Sequence, residues 1–353
     1  MPTPAGGARA HPPTRAVPSG GTLPPWPLPA TLPAQEGRQM PEPNIETILV
    51  GDALTPGSDR VVAAARDLAR SLGGQLRLLH AVPRPADLVG LDGGVEVLWR
   101  QRRSGVERAL TEHATRLGID PSELSGISCE QGVAHRLLVE TARQGGADLV
   151  VVGAHEGVAL SGVFGATAAR VLRYATRPVL VVRGELNRPP ARVLLPVDLS
   201  PLSADAFRAG LDLVTRWAGG SVEAEALFVL TDVDRRSHEA AGPGDAREAS
   251  VAALFRFVAA HRGDFAGEIA QRVAEGEPRA EILQRIAVNQ PGLVVLGTHG
   301  RSGFELLLMG SVAEGVVREA GCSCLVIPPD AALRAALARE AAARELSRGG
   351  AAA

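Results

Sequence analysis

The feature that most constrains the fold is an internal repeat. Short apolar runs alternate with amphipathic segments through residues 46–327, and the same order of runs occurs twice, about 145 positions apart. For example, the apolar run 149–152 precedes Gly153, and the run 293–296 precedes Gly297. Strands that alternate with helices favour a parallel sheet with helices on both faces. The chain is therefore predicted to be α/β, with two tandem doubly wound parallel-sheet domains.

The periodicity of apolar residues predicts the individual elements. In the first half, strands are predicted at 47–50, 76–82, 126–131, 149–152 and 178–182, and helices at 58–72, 95–117, 134–144 and 167–174. In the second half, strands are predicted at 193–197, 224–230, 267–274, 293–296 and 324–327, helices at 203–217, 247–260 and 278–288, and a loop and helix at 310–320. Residues 232–244 are predicted to form a polar loop.

The segments outside the repeat set the predicted domain boundaries. We expect a disordered Pro/Gly-rich tail at 1–44, domain 1 at 45–184, a linker at 185–190, domain 2 at 191–329, and an Ala/Arg/Glu-rich helix or tail at 330–353. Pro189 and Pro190 make the linker a rigid stop. Met40 lies just before the first predicted strand and is a candidate translation start.

Charge and residue content exclude several classes of function. The net charge is −2 and the pI is near 6.5, which argues against a nucleic-acid or membrane surface. All 37 Lys+Arg residues are Arg, so there is no lysine for a P-loop, for the β3 strand of a kinase or for a Schiff base. No apolar run reaches the roughly 18–20 residues of a membrane span.

The three cysteines are few, which suits a reducing compartment, and we expect a cytoplasmic protein. Cys322 and Cys324 lie two positions apart on a predicted strand and could form a metal or redox pair. We favour buried small hydrophobic residues, because the sequence offers no second Cys or His pair with the spacing of metal ligands.

A glycine-rich segment near the end of the second half carries the main functional pattern. Two residues separate Gly297 from Gly300, and nine separate Gly300 from Gly310-Ser311. A helix starting after Gly310 would place unpaired N–H groups and a positive helix end beside this loop, which suits a phosphate. Ser311 is predicted to act as the helix N-cap or as a donor to phosphate. The alternative is an ordinary strand–turn–helix crossover with structural glycines.

This order and spacing resembles the nucleotide-binding signature of the universal stress protein family, in its ATP-binding branch. The dinucleotide pattern G-x-G-x-x-G does not fit the loop. The resemblance covers about residues 45–329 and implies two tandem domains of the adenine nucleotide alpha hydrolase type. It also implies that the last strands, 178–182 and 324–327, pair with each other, so that the chain packs as an intrachain pseudo-dimer.

The resemblance implies a set of nucleotide-binding residues in domain 2. Asp198 would lie near the adenosine and Val229 would line the adenine pocket, although an N-terminal turn role for Asp198 and a core role for Val229 are the plain alternatives. The full set is Pro196, Asp198, Val229, Gly297, Gly300, Gly310, Ser311 and Val312. The implied ligand is ATP, or else AMP or ADP, together with Mg²⁺.

Domain 1 lacks matching residues at three of these positions. Glu156 stands where Gly300 stands, and its carboxylate would repel a phosphate. Ala166 replaces Ser311, which removes the hydroxyl at the helix start. Ala53 aligns with Asp198, and Asp52 is one residue early, which would point it to the opposite side. We therefore expect nucleotide binding in domain 2 only.

Three functions from different classes follow. The first is a nucleotide-binding regulatory or stress-response module that is not an enzyme, with an adenine nucleotide as partner and homodimerisation open. The second is a slow ATPase, which has against it the missing P-loop lysine and the lack of a placed general base. The third is a ligand-free dimerisation scaffold. His155 and His299 are expected to support their loops, and Arg301 to contact phosphate or solvent.

Overall fold

The fold is described from a computed structural model of the chain. It describes residues 45–83, 94–154, 164–186, 188–219, 222–241, 244–298 and 309–329, with the side chains of 94–97 excepted. The predicted tails at 1–44 and 330–353 lie outside the described residues.

The first half alternates strands and helices as the apolar pattern predicts. Its elements are β1 (Thr47–Gly51), α1 (Ser58–Leu72), β2 (Gln75–Val82), α2 (Gly94–Arg116), β3 (Leu124–Gln131), α3 (Ala134–Thr141), β4 (Leu149–Gly153), α4 (Ala166–Tyr174) and β5 (Val179–Val182). The helix predicted at 134–144 ends earlier, because α3 passes into a π-helical turn over Ala142–Gly146 in which Gly145 has a φ of 83°.

Within the described residues the second half repeats this order, with two helices between its second and third strands. Its elements are β6 (Arg192–Val197), α5 (Pro201–Ala218), β7 (Glu223–Leu230), α6 (Asp232–Ala241), α7 (Ala246–His261), β8 (Ile269–Glu275), α8 (Pro278–Asn289), β9 (Leu293–Gly297), α9 (Ser311–Glu319) and β10 (Ser323–Ile327).

Helix α6 corrects the prediction of a polar loop over 232–244. Its start is fixed by a capping pair, in which the Asp234 N–H donates to Thr231 Oγ1 (3.2 Å) and the Thr231 N–H donates to Asp234 Oδ2 (3.0 Å). Reciprocal bonds of this kind satisfy N–H groups that a helix start otherwise leaves unpaired. The segment is almost entirely polar, so its apolar spacing gives no helical signal.

The ten strands of the described residues form one sheet in the order β3-β2-β1-β4-β5-β10-β9-β6-β7-β8. Neighbouring strands are parallel except at the centre, where β5 and β10 run antiparallel with Leu180 opposite Leu325. The predicted pairing of the two last strands is therefore confirmed, and the halves are joined by backbone hydrogen bonds as a pseudo-dimer.

Each face of the sheet is covered by its own core. On one face, α1, α2, α5 and α7 bury a continuous apolar cluster that spans both halves, with Leu68 and Phe207 among its members. On the other face, α3, α4, α8 and α9 bury a second cluster that includes Leu138 and Val316. The strands between them, such as Leu149–Gly153, are apolar on both sides, as expected for a sheet covered twice.

The cysteines take the predicted buried role in part. Cys129 and Cys324 are buried, while Cys322 is half-buried and precedes β10 instead of lying within it. Burial raises the pKa of the Cys322 thiol to about 11 and also raises that of Cys324. High thiol pKa values give little thiolate at neutral pH, which disfavours metal or redox chemistry here.

Candidate functional site

The predicted nucleotide site lies at the carboxyl edge of three neighbouring strands. β6 pairs with β7 on one side, where Pro196 is opposite Leu227, and with β9 on the other. The ends of these strands bring Asp198, Val229 and Gly297 to the same edge of the sheet. In open parallel sheets, this edge is where ligands bind.

Asp198 follows β6 and is held in a tight turn. Its Oδ1 accepts a hydrogen bond from the Ser200 N–H (3.0 Å), and its own N–H donates to Ser203 Oγ (3.2 Å). Leu199, between them, adopts a φ of 64°, a conformation that non-glycine residues rarely take. Asp198 therefore has the N-terminal turn role that the sequence left open, and the residue is half-buried.

The other strand-end residues differ in their exposure. Val229 is 7% exposed and packs in the second core cluster, which is the core role that the sequence left open. Pro196 is half-buried within β6.

The loop between β9 and α9 is closed at its base by two backbone hydrogen bonds. The Thr298 N–H donates to the Ile327 carbonyl (3.2 Å), and the Gly310 N–H donates to the Thr298 carbonyl (2.7 Å). Gly300, together with His299 and Arg301, lies outside the described residues, so the predictions on these residues stay predictions.

The start of α9 contradicts one of the two roles predicted for Ser311, that of helix N-cap. Gly310 is the N-cap and Ser311 is the first helical residue, so Ser311 is not the cap. The Ser311 side chain is exposed and makes no hydrogen bond within the described ranges, while Val312 packs against the core. Gly310 has φ −60° and ψ 143°, which any residue can adopt.

The corresponding loop of the first half has the same backbone frame. The Ala154 N–H donates to the Val182 carbonyl (3.0 Å), the Gly165 N–H donates to the Ala154 carbonyl (2.8 Å), and Gly165 is the N-cap of α4. Ala166 then begins the helix without a hydroxyl. Glu156, the other predicted difference, lies outside the described residues.

Asp52 does not take the place of Asp198. Its side chain is fully buried, with Oδ1 accepting from the Leu54 N–H (2.8 Å) and Oδ2 lying 2.7 Å from His113 Nδ1 on α2. Burial opposes ionisation of Asp52, but the His113 and Leu54 hydrogen bonds outweigh it and lower the pKa of this carboxyl. The hydrogen bond to Asp52 raises the pKa of His113 against the effect of burial.

A second carboxylate, which sequence reasoning missed, extends this group towards solvent, since the Asp59 side chain is 35% exposed. His113 Nε2 lies 2.9 Å from Asp59 Oδ1, and Asp59 also pairs with Arg116 (2.7 Å). We call Asp52, His113, Asp59 and Arg116 the first-half polar cluster. It borders a cavity of about 560 Å³ between α1 and α2. The signal available in the sequence was a histidine within the apolar stripe of α2, between Leu110 and Ala114.

The described residues contain no group of three or more His, Cys, Asp or Glu side chains placed to hold a metal ion. Among the helices in the described ranges, none is both long and apolar enough to cross a membrane.

Both halves of the chain match one known protein family. A family model described as the universal stress protein family matches residues 44–183 and again 190–328. The chain belongs to the universal stress protein family. The two matched ranges correspond to the two halves of the ten-stranded sheet, each with one predicted loop of the kind described above.

Relatives and solved structures agree with a tandem universal stress protein. A universal stress protein of Mycolicibacterium smegmatis is 29% identical over 297 residues, which cover 80% of this chain and 97% of that protein. Universal stress protein A homolog 2 of Coxiella burnetii is 34% identical over 148 residues, covering 40% of this chain and 96% of the relative. The crystal structure of a universal stress protein from Archaeoglobus fulgidus shares the fold, with a TM-score of 0.58, 16% identity, and coverage of 81% and 97%.

Proposed function

We propose that this universal stress protein binds an adenine nucleotide in its second domain and acts as a regulatory stress-response module. The ligand would be ATP, or else AMP or ADP, with Mg²⁺ accompanying its phosphates. The proposal divides the chain into domain 1 at 45–184 and domain 2 at 191–329, with 185–190 as the linker. A cytoplasmic location and homodimerisation of the chain are parts of the same proposal.

One observation carries the proposal. The half-buried carboxylate of Asp198 and the exposed start of α9 at Gly310-Ser311 belong to neighbouring strand–helix units and open on the same edge of the sheet. The first-turn N–H groups of α9 and the Ser311 hydroxyl are donors suited to phosphate, and Asp198 is an acceptor suited to a ribose or adenine donor. Val229 adds an apolar wall.

The first half supplies the matched comparison. Its loop base and helix cap are the same in the backbone, but Ala166 lacks the hydroxyl, and Asp52 is committed to His113 instead of the strand edge. The proposal therefore expects one nucleotide per chain. It includes no catalytic role for any residue.

The decisive experiment is calorimetric titration of the purified chain with Mg–ATP, read for stoichiometry. We expect one site per chain, and we expect Gly310→Val to weaken binding more than tenfold because a β-branched side chain at the cap would fill the space for phosphate. Gly165→Val changes the equivalent cap of the first half and is the matched control, with binding unchanged.

A conservative variant separates charge from turn geometry. Asp198→Asn keeps the acceptor for the Ser200 N–H, so a loss of affinity in that variant would be attributable to the carboxylate charge. Two sites per chain would contradict the assignment to domain 2 alone. Absence of binding, in protein shown to carry no retained nucleotide, would favour the ligand-free scaffold, and turnover lost in Asp198→Asn would favour an ATPase.

A further inference from the structure

A second concave site lies where the two halves meet, on the face opposite the first-half polar cluster. Helices α3 and α4 of the first half and α9 of the second half enclose a cleft of about 490 Å³. We call it the junction cleft. Four arginines line it, namely Arg136, Arg170, Arg173 and Arg318, and the one carboxylate among its lining residues is Glu314.

The charges of the described residues that line the junction cleft are not balanced. Arg318 pairs with Glu314 one helical turn away, at 2.9 Å. Arg136, Arg170 and Arg173 are exposed and make no hydrogen bond or ion pair in the part of the chain that the structure describes. Three guanidinium groups from two helices therefore line one cleft without an ion-pair partner among the described residues.

An aromatic pair lies beside these arginines. The rings of His135 and Tyr174 stack with centroids 6.3 Å apart and an angle of 26° between their planes. Burial, followed by the nearby guanidiniums of Arg170 and Arg136, lowers the pKa of His135. The neutral imidazole and the exposed phenol add hydrogen-bonding groups without adding charge.

The matching surface of the second half shows that the fold does not require this charge. Arg279 takes the position of His135 and Glu319 that of Tyr174, and there the two form an ion pair. Gly315 takes the position of Arg170, and the Arg279 side chain lies directly over it. In the second half the arginine at this surface is therefore balanced by a carboxylate, whereas in the first half the arginines are not.

We propose that the junction cleft binds a small ligand that carries two or more phosphate groups. Guanidinium groups present paired N–H donors that match phosphate oxygens, and arginine is favoured where such recognition is needed. The cleft is of a size that holds small molecules. None of its residues belongs to the proposed nucleotide site, so the two proposals stand independently.

The test uses inorganic tripolyphosphate as the probe, titrated calorimetrically into the purified full chain without nucleotide. We expect saturable binding with one site per chain. The triple variant Arg136→Gln, Arg170→Gln, Arg173→Gln should weaken binding by at least about tenfold, because each substitution removes a charge-assisted contact. Thermal unfolding should be unchanged, since all three side chains are exposed.

A charge-matched control separates the cleft from net charge. Arg102→Gln, Arg108→Gln, Arg256→Gln removes three exposed arginines from α2 and α7 and should leave tripolyphosphate binding intact. Glu314→Gln should tighten binding, because it removes the carboxylate that competes for Arg318.

The proposal is overturned by the absence of saturable binding to the wild-type chain, by equal losses in the triple variant and its control, or by competition by sulfate at equal ionic strength. Gly310→Val should retain tripolyphosphate binding. If Gly310→Val abolishes it and the triple variant does not, the phosphates sit in the nucleotide site, and the junction cleft proposal fails while the proposed function stands.

Discussion

Asp52 and His113 of the first half correspond to Val197 and Val258 of the second half. Leu54 and Leu199 share a positive φ angle, of 53° and 64°, and Asp52 and Val197 each lie two residues before them. The same place in the fold therefore holds a buried, hydrogen-bonded Asp–His pair in one half and two buried valines in the other, with Val197 8% and Val258 3% exposed.

The helix ends give the same correspondence. Gly118 follows α2 and Gly263 follows α7, the equivalent helix of the second half, and their φ angles are positive, at 69° and 55°. Counting back from these glycines aligns His113 with Val258 and also Arg116 with His261.

This difference shows that the fold accepts either a polar pair or an apolar pair at this position, provided that both partners are of the same kind. Taking two charges out of water costs free energy that their attraction only partly returns, so a buried ion pair and an apolar pair can be nearly equal in stability. They differ in what happens when one partner is lost or when the pH changes. The three predictions that follow use those differences.

The largest effect is expected from removing one partner. His113→Val should lower the free energy of unfolding by about 3 kcal/mol, because it leaves the Asp52 carboxylate buried without its main partner. Urea denaturation at pH 7 measures this change.

The control for that prediction is the double variant Asp52→Val, His113→Val, which recreates the second-half pair. Its unfolding free energy should lie within about 1 kcal/mol of the wild-type value. If the double variant is as unstable as His113→Val alone, the first half does not accept the apolar pair of the second half, and the comparison fails.

A smaller change in the free energy of unfolding is expected from pH, and the contributions of His113 in the first half and His261 in the second half should change in opposite directions. The pKa of His113 is raised above its ordinary 6.5, so protonation stabilises the fold below pH 6.5, and this stability is lost as the pH rises through the raised value. Asp52 has a pKa lowered from 3.8, so its contribution is present above that pH and is lost as the pH falls further.

His261 behaves in the opposite way. Burial, with a smaller effect of Arg208, lowers the pKa of His261 to about 4, so stability is lost as the pH falls from 6.5 towards 4. Unfolding free energies of wild type, His113→Val and His261→Leu from pH 4.5 to 8 test this. The excess stability of wild type over His113→Val should shrink above pH 6.5, and that over His261→Leu should shrink below it. The same direction in both would contradict the comparison.

The smallest effect is expected at the edge of the first-half polar cluster. Arg116 pairs with Asp59, but the Arg116 side chain is 60% exposed, and ion pairs in water contribute little. Arg116→Gln should shift the melting temperature by about 1 °C or less. A shift as large as that of His113→Val would mean that Arg116 is part of the buried interaction and not its solvated end.

The sequence predicted most of the fold because the strands are apolar on both faces. Runs such as Leu149–Gly153 and Leu293–Gly297 stand out against the helices that flank them, and their repetition predicted two joined halves. Helix α6 was missed because its stability comes from the Thr231–Asp234 cap and not from an apolar stripe.

The proposed site could be predicted to the extent that the order of the strands determines which strand ends lie side by side. Asp198 follows β6 and Gly297 ends β9, so the strand order brings both to one edge, and the hydrogen bond from the Gly310 N–H to the Thr298 carbonyl holds Gly310 near them. The Asp52–His113 pair joins residues 61 positions apart, and the junction cleft draws on three helices from both halves. No local pattern encodes such contacts, because they depend on how helices pack across the sheet.

The antiparallel pairing of β5 with β10 has an evolutionary consequence. In a homodimer with this arrangement, every substitution appears on both sides of the two-fold axis, so a surface on one side cannot change alone. Here both sides belong to one chain, and each codon specifies a single position. The arginines around Tyr174 and the ion pair of Arg279 with Glu319 are the kind of divergence that such a duplication permits. Association of the halves is also intramolecular, so dilution does not separate them.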